Sequence, residues 1–125
     1  MPFEGGSFVL DMVGVVSTAG GAVGSVLNPE GKAVVITKVV VAVETQPDSA
    51  ANLNVGIGAA ATTDASDLVS ALTVDAATGK CYNGLNPAAK AEHIVWGATQ
   101  YLNVTGSADT TGLVGKVLVH YMRHV

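Results

Sequence analysis

The stretch Ala33–Thr45 (AVVITKVVVAVET) constrains this chain more than any other. Val, Ile and Thr branch at Cβ, lose rotamer freedom in a helix and pack well on a pleated sheet, so a run this rich in them is a strand. With strict alternation, Val35, Val39, Val41 and Val43 lie on one face. Val34, Ile36, Val40 and Ala42 lie on the other, beside Lys38 and Glu44. Apolar residues on both faces predict a central strand covered on two sides, one cover being supplied by another subunit.

The rest of the chain repeats this chemistry in shorter pieces. The 15 glycines punctuate Val-, Ala- and Thr-rich segments, and no dozen residues carry an apolar repeat at helical spacing. Strands are expected from about Ser7 to Ser17, over Ala22–Leu27, over Leu53–Ala60 and over Leu113–Arg123. Shorter ones fall at Leu72–Asp75, Lys80–Tyr82, His93–Gly97 and Gln100–Val104. Asp11 and Gly14 mark the first as a bulged or edge strand. Thr18–Gly21 and Asn28-Pro29-Glu30-Gly31 are turns. In Leu53–Ala60 the residues Asn54, Gly56 and Gly58 make a glycine-lined face that admits a neighbouring backbone or sheet. Thr62–Ser70 is the expected helical turn, capped by Thr63 or Asp64, with Asp67 early in it. The last strand places Val117, Val119 and Tyr121 on one face and Lys116, Leu118, His120 and Met122 on the other. The fold class is therefore all-β, an antiparallel sandwich. One domain spans residues 1–125, with 1–32 as an N-terminal arm or edge-strand region.

Charge bears on function. Only 13% of residues are charged, about half the usual share for a soluble domain, while 49% are hydrophobic. A 125-residue domain leaves roughly a third of its unfolded-chain surface exposed, so apolar surface must face outward unless a partner covers it. That predicts a homo-oligomer or a larger assembly. The net charge of −4 without a Lys/Arg cluster argues against nucleic acid, as does the 5% aromatic content. No run of about 18 apolar residues predicts a membrane helix. The start Met1-Pro2-Phe3-Glu4 is unlike a secretory signal, so synthesis in a cytoplasm is expected.

Candidate chemistry fails on spacing. His120 and His124 share a face of a strand about 13 Å apart, too far for one metal. Ser107, His93 and Asp109 can be grouped as a nucleophile, base and acid, but no nucleophile-elbow pattern flags the serine, and Thr105–Gly112 reads as a polar hairpin loop. Gly20–Ser25 lacks the lysine of a phosphate loop. Asp64, Asp67 and Asp75 do not match a calcium loop. Asn103-Val104-Thr105 fits the glycosylation pattern by chance, and Cys81 has neither a second cysteine nor a flanking base. No enzyme activity, cofactor or metal is expected. Trp96, Tyr101 and Tyr121 are the candidate interface anchors.

Three segments resemble a known group when taken together: Ile36–Val41, Leu53–Gly58 with the Ala/Thr/Ser/Asp stretch to Val69, and Gln100–Ser107 leading to Gly112–Val117 and His120-Tyr121. Their layout is similar to small tailed-phage virion proteins of the capsid decoration, cement or head-fibre type. The resemblance implies a jelly-roll-like fold, a homotrimer, no cofactor, a capsid lattice (the major capsid protein or other virion subunits) as partner, and a place in the virion. The competing expectation is a carbohydrate- or receptor-binding sandwich of a tail or fibre, which would use Trp96, or Tyr82 with Asn83 and Asn86.

Overall fold

Strand-forming residues broken by glycine fold here into short antiparallel strands that can bury only one face each, and two sheets close on one another. The computed structural model describes residues 3–17, 20–64, 68–74, 78–83 and 94–124. These contain the strands β1 (Phe3–Val13), β2 (Gly21–Leu27), β3 (Val34–Thr45), β4 (Asn52–Gly58), β5 (Val69–Thr73), β6 (Lys80–Asn83), β7 (Ile94–Trp96), β8 (Tyr101–Gly106) and β9 (Val114–His124). One sheet runs β1-β9-β3-β6, with β7 also paired to β3; the other runs β2-β8-β4-β5. Every strand pair is antiparallel. The all-β expectation holds, and among the described residues there is no helix.

β3 is central, flanked by β9 on one side and by β6 and β7 on the other. Its faces are not those of strict alternation. The buried residues are Val34 and Ile36, then Val39, Val41 and Val43. The switch from even to odd positions falls where the pairing with β9 slips between Ile36 and Lys38. Thr37 is the extra residue of a β-bulge, and it moves every later side chain to the opposite face. Val35, Val40 and Ala42 therefore share the outer face and are half-exposed. β9 keeps an unbroken register with β1 and alternates as expected, with Val117, Val119 and Tyr121 buried. β1 is an edge strand without a bulge, and it begins and ends earlier than the valine pattern implies.

The core lies between the sheets. Met12, Ile36, Val39, Val41, Val117 and Val119 come from one sheet and face Leu53, Val55, Leu102 and Val104 from the other. Leu113 and Leu68 close it from loops. The described part of the expected helical turn, residues 62–64 and 68–70, is not helical: Val69 and Ser70 belong to β5, while Thr63 and Asp64 turn back onto the sheet. Asp67 and Asp75 lie outside the described residues. The segment after Thr105 is not a hairpin loop either, because residues 107–113 carry the chain from β8 in one sheet to β9 in the other.

Candidate functional site

The two outer faces of the sandwich differ in how they are finished. On the four-stranded sheet Ser25, Asn54, Asn103 and Thr105 point outward, and the loop after β4 folds back over them. Asn103 Nδ2 donates to the carbonyls of Ala60 (2.8 Å) and Thr63 (3.1 Å), and its Oδ1 accepts from Ser25 Oγ at 2.7 Å. Asp64 Oδ1 accepts from Thr105 Oγ1 at 2.6 Å and from Asn54 Nδ2 at 3.1 Å. These bonds, with Thr105 the stronger, hold the Asp64 carboxyl below its ordinary range. The close approach foreseen for the glycine-lined face is made by the chain's own loop: a β-carbon on Gly58 would overlap the Thr63 side chain. With both ends of its amide bonded and its side chain buried, Asn103 is closed to glycosylation in the folded chain.

The outer face of the five-stranded sheet has no such cover among the described residues. Paired strands set its side chains in five rows. Val13 and Val114 form the first. The second holds Asp11, Lys116 and Ala42, with Cys81 at its rim. Val9, Leu118 and Val40 form the third, in the middle. Ser7, His120 and Lys38 form the fourth, and Met122, Val35 and Val95 the fifth. Five of these apolar side chains stand well out of the protein: Val13 (64% exposed), Val95 (56%), Val9 (51%), Val114 (41%) and Met122 (39%). Single exposed valines are ordinary on a protein surface, whereas here three apolar rows share one sheet face, separated by two polar rows.

The charges on this face are few and ordered. Lys116 Nζ lies 3.0 Å from Asp11 Oδ1 and 3.6 Å from Glu44 Oε1. The hydrogen bond to Asp11, more than any other cause, raises the Lys116 ammonium above its ordinary range. Between Met122 and Ser7 the bulge at Thr37 leaves a shallow depression of about 370 Å³, lined by Gly6, Ser7, Thr37, His120, Tyr121 and Met122. Gly6 is needed there, because a β-carbon would meet the Tyr121 ring.

The aromatic residues expected at an interface sit elsewhere. Trp96 is fully buried, and Tyr121 nearly so; they meet edge-on at 6.4 Å within the subunit's own core. Trp96 Nε1 donates to Gln100 O at 2.9 Å. Tyr121 donates its hydroxyl to Glu30 Oε2 at 2.6 Å, and Arg123 Nε lies 3.0 Å from Glu30 Oε1. The tyrosine hydrogen bond is the main cause that lowers the Glu30 carboxyl, and burial is the main cause that raises the Tyr121 phenol. Asn28 holds this corner, its Nδ2 within 2.9–3.1 Å of the Lys32, Trp96 and Gly97 carbonyls. Tyr101 is half-buried on the outer face of the other sheet, beside Leu27 and Gly58.

Of the catalytic candidates, Ser107 and Asp109 are among the described residues. Ser107 Oγ accepts from Asn52 N at 3.0 Å, and Asp109 Oδ1 accepts from Thr111 N at 2.9 Å, so both tie loops. His120 stands on the outer face of the five-stranded sheet; His93 and Asn86 lie outside the described residues. Among the described residues, no three of His, Cys, Asp and Glu gather to hold a metal ion. Gly20–Ser25 is the approach to β2 and most of that strand. Sequence reasoning missed the outer-face set of Val9, Val13, Val95 and Val114. The usable signal was the scarcity of charge, but assigning faces to β3 required the bulge.

No family model, curated protein or solved structure matches the chain significantly.

Proposed function

We propose that this chain is a non-catalytic structural subunit that assembles through the outer face of its five-stranded sheet, as a capsid decoration or cement protein of a phage particle. The observation that carries the reading is the row pattern of that face, three apolar rows that no other described residue covers, opposite a face that the chain covers itself. Burying such a surface is favourable by about 25 cal/mol per Å² before the costs of association are subtracted. A decoration protein needs adhesive area and rigidity, and no cofactor. Its partners in this reading are sister copies and the major capsid protein, and its place is the virion.

The strand order supports a jelly-roll-like fold. The pairs nest as β1 with β9, β2 with β8, β3 with β6 and β4 with β5, and the chain alternates between sheets as it does so. Jelly rolls serve both viral shells and lectins, so the fold alone does not choose between them. A glycan platform needs an exposed aromatic ring; Trp96 is buried and Tyr82 packs half-buried against the core. The apolar rows on the outer face of the five-stranded sheet support the structural role.

The test is co-sedimentation with capsids of the phage whose genome encodes the chain, stripped of this protein. Saturable binding is expected for the wild type, with a loss of at least about tenfold for Val9→Asp. Absence of wild-type binding, or equal binding by the variant, contradicts the reading.

A further inference from the structure

The rows on the outer face of the five-stranded sheet are symmetric in polarity and opposite in charge about the middle one. The first, third and fifth rows are apolar. The second is edged by the carboxylates of Asp11 and Glu44, which share the single ammonium of Lys116. The fourth has no carboxylate and presents Lys38 and His120. Lys38 is exposed and forms no ion pair among the described residues. A surface whose two ends carry opposite charge at equal distances from an apolar centre is complementary to itself turned end for end.

We infer that this face binds a second copy of the chain about a two-fold axis that runs across the strands at the level of Leu118. The inference rests on the reading of this face as a contact surface, and it replaces the three-fold assembly implied by the resemblance. In this arrangement each strand stacks antiparallel over its own counterpart, so the middle row meets itself and Val9, Leu118 and Val40 pack on the same three residues. The Val114 row meets the Met122 row, apolar on apolar. Lys38 lies over Ala42 of the second copy, one row from Glu44, a gap that its flexible four-carbon stem spans. The symmetry makes this ion pair twice.

The other two-fold in the plane of the face, along the strands, sets each row on itself. It places His120 over Lys38 of the second copy and leaves each Lys38 ammonium without a carboxylate. Charge therefore selects the axis across the strands. Size is sufficient: four strand positions about 4.8 Å apart and nine residues at about 3.4 Å each cover about 600 Å² per copy. The total of about 1,200 Å² reaches the lower bound for specific, stable interfaces. The identical patch on both partners is the isologous contact that closes a dimer.

Sedimentation equilibrium of the full chain tests this. The wild type is expected at twice 12.5 kDa. Lys38→Glu and Glu44→Lys, both exposed and separately folded by circular dichroism, are each expected to weaken self-association by at least about tenfold. An equimolar mixture of the two variants restores wild-type affinity, because in the mixed dimer both contacts again join opposite charges. Failure of the mixture to recover overturns the two-fold. If Val9→Asp still dissociates the wild-type assembly in that case, the face remains the contact surface and only its symmetry is wrong. A wild-type monomer at every concentration also overturns the two-fold, while docking on a capsid is judged by its own experiment.

Discussion

Deleting Thr37 tests the bulge that decides which valines of β3 face inward. In the structure Ile36 pairs with Tyr121 and Lys38 with His120, so Thr37 is the residue without a counterpart. Its removal leaves a regular ladder in which Val34, Ile36, Val39, Val41 and Val43 all keep their buried side. What is lost is an exposed side chain and one long hydrogen bond, from Thr37 Oγ1 to His120 O at 3.3 Å, worth about 1 kcal/mol at most. Deleting Val40 instead reverses the face of one half of the strand. Turning out Val41 and Val43, both almost wholly buried, costs about 1.5–3 kcal/mol for each side chain. Against a total stability of about 5–15 kcal/mol, that approaches unfolding. Urea titration followed by circular dichroism reads both variants. The expected result is a midpoint near wild type for the Thr37 deletion, with an unchanged slope, and a lost or severely lowered transition for the Val40 deletion. Equal damage from the two deletions refutes the bulge.

Other expectations follow from the polar ties and the core. Asn103→Ala removes two hydrogen bonds that hold the loop after β4 and one from Ser25 on β2, and a loss of about 2–4 kcal/mol is expected in the same titration. Trp96→Ala empties a fully buried site and should cost about 3–5 kcal/mol by thermal or urea unfolding. The lowered carboxyls of Glu30, Asp64 and Asp109 bind fewer protons in the folded state than in the unfolded one. Stability from them is therefore full above the unfolded carboxylate range and falls as pH drops through and below about 4. Glu30→Gln is expected to flatten that acid limb in melts recorded at successive pH values.

The sheet content was legible because branched residues and glycines are a local signal. The faces of β9 could be read, since its alternation from Val117 to Tyr121 runs without interruption, although the strand runs one residue later at each end than expected. β3 could not, because a bulge has no composition of its own: Thr37-Lys38 looks like an ordinary polar step in an alternating strand. The segment Thr62–Ser70 misled for a different reason. Its Thr and Asp are good helix caps, yet their oxygens are used by the sheet beneath, Asp64 by Thr105 and Asn54. Those partners are distant in the sequence, so tertiary bonding overrode a local preference. Trp96 and Tyr121 were singled out for size, and size draws a side chain into a core as readily as into an interface. The proposed contact surface is built of modest valines, and only the register shows that Val9, Leu118 and Val40 share one row.

The thiol of Cys81 reports on whether the outer face of the five-stranded sheet is covered on assembly. It is the only cysteine, it is exposed, and it pairs with Ala42 at the rim of the apolar face. If that face is the contact surface, the rate of thiol modification falls at least about tenfold when the chain assembles, and Val9→Asp keeps the fast rate under the same conditions. An assembled wild type whose Cys81 reacts as fast as in the dissociated chain contradicts the account.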